Sequence, residues 1–427
     1  MEMNQTDQTQ LEFAAYVGLD WADQAHAVCL RVAGTEVVER SEVKHNPEAL
    51  AAWVNSLQQR FGGRPIAIAL EQSRGALVHA LMEYDFLVLF PVNPKTLAKY
   101  REALRPAGAK DDPGDAELLL ELVAMHRDRL RAWVPDDEQT RTLALLVEYR
   151  RDLVNEQTRL SNRLTSLLKG YYPQALRWVG ELTTPPAWDF LERWPTLVAT
   201  QRATAAELRA FYTTHRCRQE ELIAQRVTEI SVAQPLTRDL AVITASVAMV
   251  KATVSQLRVV SEAVARFQRQ IEELFAQHPD HDLFRSFPGA GVALAPRLLT
   301  AMGTDRGRFA TARETQQFSG IAPVTKRSGK SCWVQWRWAC PKFVRQSFHE
   351  YAAQSIRWSG WARAFYDQQR QRGKGHHAAV RSLAYKWIRI IYRCWQQRTP
   401  YCEETYCEAL ARRNSPLAKM LSAQTAE

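Results

Sequence analysis

Tyr16-Val17-Gly18-Leu19-Asp20-Trp21 is the stretch on which the reading of this chain turns. A short β-branched and aromatic run with polar flanks predicts a buried strand. The acid at its end, Asp20, then presents its charge at a sheet edge instead of burying it. Asp20 is therefore a candidate metal ligand. The plainer alternative is a surface aspartate that stops a strand. Further on, Pro65 to Leu70 is a second apolar strand that also ends in an acid, Glu71.

The intervening residues say how the two strands are connected. Tyr16 to Ala22, His26 to Ala33 and Glu36 to Lys44 read as a strand meander, with Gly34-Thr35 turning between the last two. Asn46-Pro47, a cap followed by proline, opens a helix that carries Leu50, Trp53, Val54 and Leu57 on one face and stops at Gly62-Gly63. A helix from Ala76 to Tyr84 and a strand from Phe86 to Pro91 complete a strand-helix-strand crossover, which makes its two strands parallel. An antiparallel meander followed by parallel crossovers is an α/β mixed sheet of the ribonuclease H type, in which the ends carrying Asp20 and Glu71 can meet. A third acidic element, Lys110-Asp111-Asp112-Pro113-Gly114-Asp115-Ala116, leads into an apolar helix. Acids three apart at a helix start share a face, so Asp112 and Asp115 can address one point; helix-dipole capping explains the same pattern.

The 427 residues suggest three domains: 1–135, the α/β domain; 136–280, a helical connector; and 281–427, a basic, mainly helical domain. In the connector, Leu146, Leu153, Leu160 and Leu167 recur at seven, as do Val250, Leu257, Val264 and Ile271. That spacing predicts an antiparallel helical pair or an intermolecular coiled coil. Residues 281–427 carry 24 Lys and Arg against 9 Asp and Glu, while the rest carries 32 against 37, so a polyanion binder is attached to separate acidic chemistry. Seven scattered cysteines without Cys-x-x-Cys spacing indicate neither a disulfide framework nor a zinc site. No signal peptide is legible, and no apolar run approaches the ~20 residues of a membrane helix. A soluble, cytoplasmic protein with no membrane partner is the expectation.

Two stretches of the basic third carry candidate contacts to nucleic acid. Phe287-Pro288-Gly289-Ala290-Gly291 between apolar helices fits a helix-hairpin-helix, whose Gly289 and Gly291 would expose backbone N–H groups to phosphate, or else a purely structural tight turn. Lys326-Arg327-Ser328-Gly329-Lys330 sets a serine among three cations in a loop before a strand; it suits a hydroxyl aimed at a phosphodiester or a phosphate-contacting loop. The tryptophans beyond it read mainly as core. The four acids come without His or Cys, and an all-oxygen set selects magnesium or manganese. Two such ions ~4 Å apart can hold both oxygens of a phosphodiester displacement.

With these residues in view, Gly-Leu-Asp-Trp at 18–21, Leu-Glu-Gln-Ser-Arg-Gly at 70–75, Lys-Asp-Asp-Pro-Gly-Asp-Ala at 110–116, Pro-Gly-Ala-Gly at 288–291 and Ser-Gly-Ile-Ala-Pro-Val-Thr-Lys-Arg-Ser-Gly-Lys at 319–330 resemble the DEDD transposases of bridge-RNA-guided insertion sequences. The resemblance implies a RuvC-like domain, a coiled-coil connector and a transposase domain with a nucleophilic serine. By motif, Asp20, Glu71, Asp112 and Asp115 become metal ligands and Ser328 the nucleophile. Where the family commonly has threonine after the lysine of the third block, this chain has Asp111, a neighbouring acid. Spacing to Asp115 favours Asp112 as the ligand. The resemblance further implies a 5′-phosphoserine intermediate, donor and target DNA, a structured noncoding guide RNA, and homodimers assembling into tetramers. The competing function is a junction-resolving nuclease that uses the same acids with water as nucleophile.

Overall fold

The computed structural model describes residues 12–71, 75–104, 112–329 and 331–424. They gather into two compact units, each built from two stretches of chain: unit 1 from Met1–Asp137 with Gly303–Pro341, and unit 2 from Glu138–Met302 with Lys342–Glu427. The segment 303–341, which includes Ser328, thus folds with the amino-terminal part of the chain.

Unit 1 is a five-stranded mixed sheet of order β3-β2-β1-β4-β5, formed by β1 (Ala15–Asp20), β2 (Ala25–Val32), β3 (Val38–Lys44), β4 (Ile66–Leu70) and β5 (Leu87–Pro91). The meander is antiparallel and the pairs β1–β4 and β4–β5 are parallel, as the crossover pattern predicts. Helix α1 (Pro47–Phe61) starts where Asn46 accepts the Ala49 N–H at 2.8 Å and ends at Gly62, whose φ of 62° suits glycine. Helix α2 (Ala76–Leu81) is shorter than the predicted 76–84, because Tyr84 already turns back on Leu81 to enter β5. Helix α3 (Pro94–Leu104), which the sequence reading left without an element, precedes α4 (Asp112–Met125).

Strand alternation sorts the helices between two faces. Val17, Leu19, Ile66 and Ile68 pack with Val54 and Leu57 of α1 and Leu77 and Val78 of α2. Ala67, Ala69, Val88 and Phe90 pack on the other face with Leu97 of α3 and Leu118, Leu119 and Leu122 of α4. The contact of α4 with β1 is as close as backbones allow. A Cβ on Gly18 would lie 1.9 Å from the Ala116 carbonyl oxygen and 2.4 Å from the Leu120 nitrogen.

Residues 303–341 join unit 1 through Asp136. Its Oδ1 accepts the Thr304 N–H at 2.7 Å, and its Oδ2 meets Arg308 Nη1 at 3.2 Å. Gly303 stands at φ +74°, a conformation strained for other residues, and a Cβ there would also press on Asp136 Oδ1 at 2.5 Å. Arg131 adds a bond to the Gly307 carbonyl. From this base rises a two-stranded ribbon, β6 (Val324–Ser328) with β7 (Ser331–Gln335), so Lys326-Arg327-Ser328 forms a strand where the sequence suggested a loop.

In unit 2, α5 (Glu138–Tyr171) and α6 (Leu240–Ala276) run antiparallel, Gln139 reaching the Leu274 carbonyl at 3.1 Å and Gln157 reaching Ser261 at 2.8 Å. The buried stripe of α5 is Leu143, Val147, Leu160, Leu164 and Leu168, while Leu146, Leu153 and Leu167 are only half-buried. Packing at i and i+4 has taken over from the strict heptad. Helix α6 is long and apolar enough, by length and composition, to cross a membrane, which corrects the expectation that no such run exists. Its Val250, Val254 and Leu257 share a core with Leu160, Leu164 and Leu168. After it come α7 (Gly291–Met302), α8 (Lys342–Ser355), α9 (Gly360–Gln371) and α10 (His376–Gln397), closed around the buried Trp361, Trp387 and Trp395.

Gly18→Ala is expected to destabilise unit 1 by about 3 kcal/mol, at the upper end for overpacking, because the obstacles are backbone atoms that cannot rotate away. Gly170→Ala in α5, with open space around it, should instead be neutral or stabilise by up to ~1 kcal/mol. Urea unfolding of the two variants measures the contrast.

Candidate active site

Asp20 and Glu71 stand at the carboxyl edge of the sheet. The β1–β4 register ends with Leu19 opposite Leu70, so Asp20 and Glu71 are the next residues on neighbouring parallel strands, whose spacing is ~4.8 Å. Asp20 is 7 % exposed, so the structure buries the carboxylate that the sequence predicts to be presented at the edge, and Glu71 is half-buried. Alternation turns Asp20 to the same face as Gly18, the face of α4. The first turn of that helix lies over the same strands, with Pro113 O 3.9 Å from Sγ of Cys29, the cross-strand partner of Gly18.

Asp112 and Asp115, expected to share a face, have different surroundings. Asp112 is exposed at the start of α4. Asp115 is 2 % exposed and is gripped in a fork by Arg101 of α3, Nε on Oδ1 at 2.7 Å and Nη2 on Oδ2 at 2.5 Å. Bidentate Arg–carboxylate pairs are strong and directional. Sequence reasoning missed Arg101, although a signal exists: it stands four residues after the fully buried Leu97, so on α3 it falls on the inward face, where a cation needs a partner.

The donor set is all oxygen, as a hard cation requires. As arranged, however, Asp115 has both oxygens committed to Arg101, and among the described residues no three His, Cys, Asp or Glu side chains come together to hold an ion. Asp115 is a salt-bridged acid, and it can join an ion only after releasing Arg101. Asp111 and residues 72–74 of the second motif lie outside the described residues.

A second feature missed in the sequence fixes the turn after Asp20. The Ala22 N–H donates to His26 Nδ1 at 3.3 Å, and His26 Nε2 lies 3.0 Å from His45 Nδ1. Burial, and then His45, push the His26 pKa below its usual value. A neutral His26 with its proton on Nε2 satisfies both bonds at once.

The residues of the basic third are dispersed by role. Ser328 ends β6, exposed, paired across the ribbon with Ser331, and followed by Gly329 at φ +53°. Lys326 and Arg327 are exposed on the same strand, and Lys330 lies outside the described residues. Lys326 pairs with Trp333, and Trp333 and Trp338 are 51 % and 72 % exposed, against the general expectation of buried tryptophans. Gly289 and Gly291 both have positive φ, 76° and 54°, in unit 2. A Cβ on Gly289 would strike Trp358 at 2.6 Å, whereas Gly291 opens α7 with free space around it. Gly289 is thus required for packing, and Gly291 stands where backbone N–H groups are presented.

A family model described as a transposase, of the IS110 DEDD type, matches residues 17–173, and a second, described as Transposase IS116/IS110/IS902 family, matches residues 281–367. The chain belongs to the IS110 family of transposases. Asp20, Glu71, Asp112 and Asp115 fall within the first match, and Gly289, Gly291, Lys326, Arg327 and Ser328 within the second. The transposase is similar to the mini-circle transposase protein of IS117 from Streptomyces coelicolor, at 28 % identity over 91 % of this chain and 95 % of that one. It is also similar to the IS110 43.6 kDa protein of the same organism (29 %, 91 % and 96 %) and to the IS900 42 kDa protein of Mycobacterium paratuberculosis (25 %, 78 % and 83 %). It is therefore an insertion-sequence transposase, an enzyme that modifies DNA.

Replacing Arg101 by Ala leaves a buried carboxylate uncompensated, and the expected cost is ~3–5 kcal/mol. The double variant Arg101→Met/Asp115→Leu should recover most of it. Denaturant melts of the three proteins check both numbers; a loss under ~1 kcal/mol for the single variant would show that the fork does not hold α3 to α4.

Proposed function

We propose that this transposase is an RNA-guided DNA recombinase that cuts and rejoins DNA through a 5′-phosphoserine intermediate, with Ser328 as nucleophile. The observation that carries the reading is the position of Ser328, exposed at the tip of a ribbon in the same compact unit as the acidic sheet edge. A hydroxyl so placed can enter a phosphodiester without displacing any core residue.

In the step, Ser328 Oγ loses its proton to a solvent base and attacks the scissile phosphorus. The Oγ–P bond forms as the P–O3′ bond breaks, and the departing 3′ oxygen takes up a proton to leave as a hydroxyl. The phosphoserine link keeps the energy of a phosphodiester, so a second 3′ hydroxyl can reverse the exchange with a new partner. Lys326 and Arg327, immediately before the serine, offer positive charge to the non-bridging oxygens. Magnesium or manganese, in a two-ion site, is the cofactor the reading implies; Asp20, Glu71, Asp112 and Asp115 would hold it once Asp115 had released Arg101, and it would supply charge stabilisation at a phosphodiester.

The partners follow from the same surfaces. A ribbon exposed on both faces, with Lys326 opposite Trp333, suits docking on donor or target DNA. A structured noncoding RNA would supply sequence choice by base pairing, leaving the protein to hold backbone and shape. Exposed apolar residues of α6, among them Leu240, Met249 and Val259, support a homodimer that pairs into a tetramer.

Ser328→Ala is expected to abolish the protein–DNA adduct that survives denaturing electrophoresis when the protein is incubated with element-end DNA and the RNA transcribed beside its gene. Loss of both adduct and joined product supports the reading. Cleavage that continues without an adduct assigns the chemistry to water and makes the protein a junction-resolving nuclease.

A further inference from the structure

Unit 2 holds a cleft of about 300 Å³, open mouth included, lined by Arg150 and Arg151 of α5, Gln268 of α6, Val292 and Arg297 of α7, and Phe343 of α8. Three guanidinium groups meet there. Arg297 is 8 % exposed, yet its Nη2 has no hydrogen-bond partner, and neither has the buried Nε of Arg150 or of Arg151. The rest of Arg297 is fixed: Nε on Ser347 Oγ at 3.1 Å, Nη1 on Glu350 Oε2 at 2.5 Å, and its plane 4.9 Å from the Phe343 ring centre. The group is held rigid with one donor edge left for something else.

The acids nearby do not balance these charges. Glu350 serves Arg297, also accepts Gln346 at 2.6 Å, and stands 3.7 Å from Arg151. Glu272 accepts Gln268 at 2.6 Å. Burial and then repulsion by Arg297 and Arg151 push the Arg150 pKa down against the pull of Glu272, and burial pushes that of Arg297 down against the pull of Glu350. A buried guanidinium N–H without an acceptor is costly unless a further group joins it. The cleft also includes Val292 and Ala293 in the first turn of the twelve-residue α7, where backbone N–H groups lack a carbonyl ahead of them. Unlike a helix N-terminus by itself, this one shares its cleft with an arginine that is more than nine-tenths buried and whose Nη2 has no hydrogen-bond acceptor.

We propose that Arg150, Arg151, Arg297 and the start of α7 form a socket for one backbone phosphate of a nucleic acid. Guanidinium forks match phosphate oxygens in pairs, and helix-start N–H groups complete the set. Only the identity of the phosphate's carrier rests on the transposase reading; the phosphate site itself does not.

The first test uses the intact protein and inorganic phosphate. Its melting temperature should rise saturably with phosphate, beyond the effect of sodium chloride at matched ionic strength. Arg150→Gln/Arg151→Gln should fold, since it removes like charges from one another, and should lose that rise. Phosphate acting no better than chloride, or equally well on the variant, overturns the proposal. The second test measures affinity against salt for a duplex DNA and for a folded RNA. The variant should lower the logarithmic salt slope by about 0.9 for the one that seats its phosphate here. Slopes unchanged for both overturn the assignment to nucleic acid, and the phosphate melts still report on the socket separately.

Discussion

The missing side chain at Gly18 governs unit 1. Because nothing projects from that position, α4 can lie on β1 at a distance any Cβ would forbid. That approach brings the start of α4 over the strands whose ends carry Asp20 and Glu71. Strand pairing alone sets Asp20 and Glu71 on neighbouring strand ends; the start of α4 lies over those strands only because a helix can touch a sheet backbone. A substitution there acts on the site through the fold, without altering any ionisable group.

Arg101 and Asp115 give this edge a second character. A carboxylate almost wholly shut off from water needs a positive partner, and in this structure the partner is an arginine. The pair joins α3 to α4 and fixes where Asp115 sits. An acid in such a fork cannot serve another cation without movement of α3 or of the Arg101 side chain. The same accounting in unit 2 ends differently, because Glu350 and Glu272 are two carboxylates against three arginines.

The sheet was legible because period-two patterning, the Gly34 and Gly62 punctuation and the Asn46 cap are local signals that the tertiary structure left in force. Asp20 and Glu71 were legible for the same reason, as acids that stop apolar runs. Asp112 and Asp115 were read as equivalents, and the fold separates them: spacing fixes a direction around the helix axis, but whether that direction meets solvent or Arg101 depends on α3, fourteen residues away in sequence. The heptads misplace the buried stripe of α5 because Leu146 and Leu153 obey a strict repeat that a straight helix in a globular core does not follow. The affiliation of 303–341 with unit 1 could not be read at all, since it rests on Asp136, Gly303 and Thr304, none of them part of a pattern.

Asp136 holds Thr304 across 168 positions of chain, and unit 2 supplies everything in between. Closing so long a loop costs entropy that no neighbouring contact offsets beforehand. On the ribosome, the amino-terminal sheet emerges early but lacks its ribbon until synthesis has passed Pro341. A product truncated before Gly303 carries Asp20 and Glu71 but neither the ribbon nor Ser328, so a half-made chain leaves unit 1 without its closing segment.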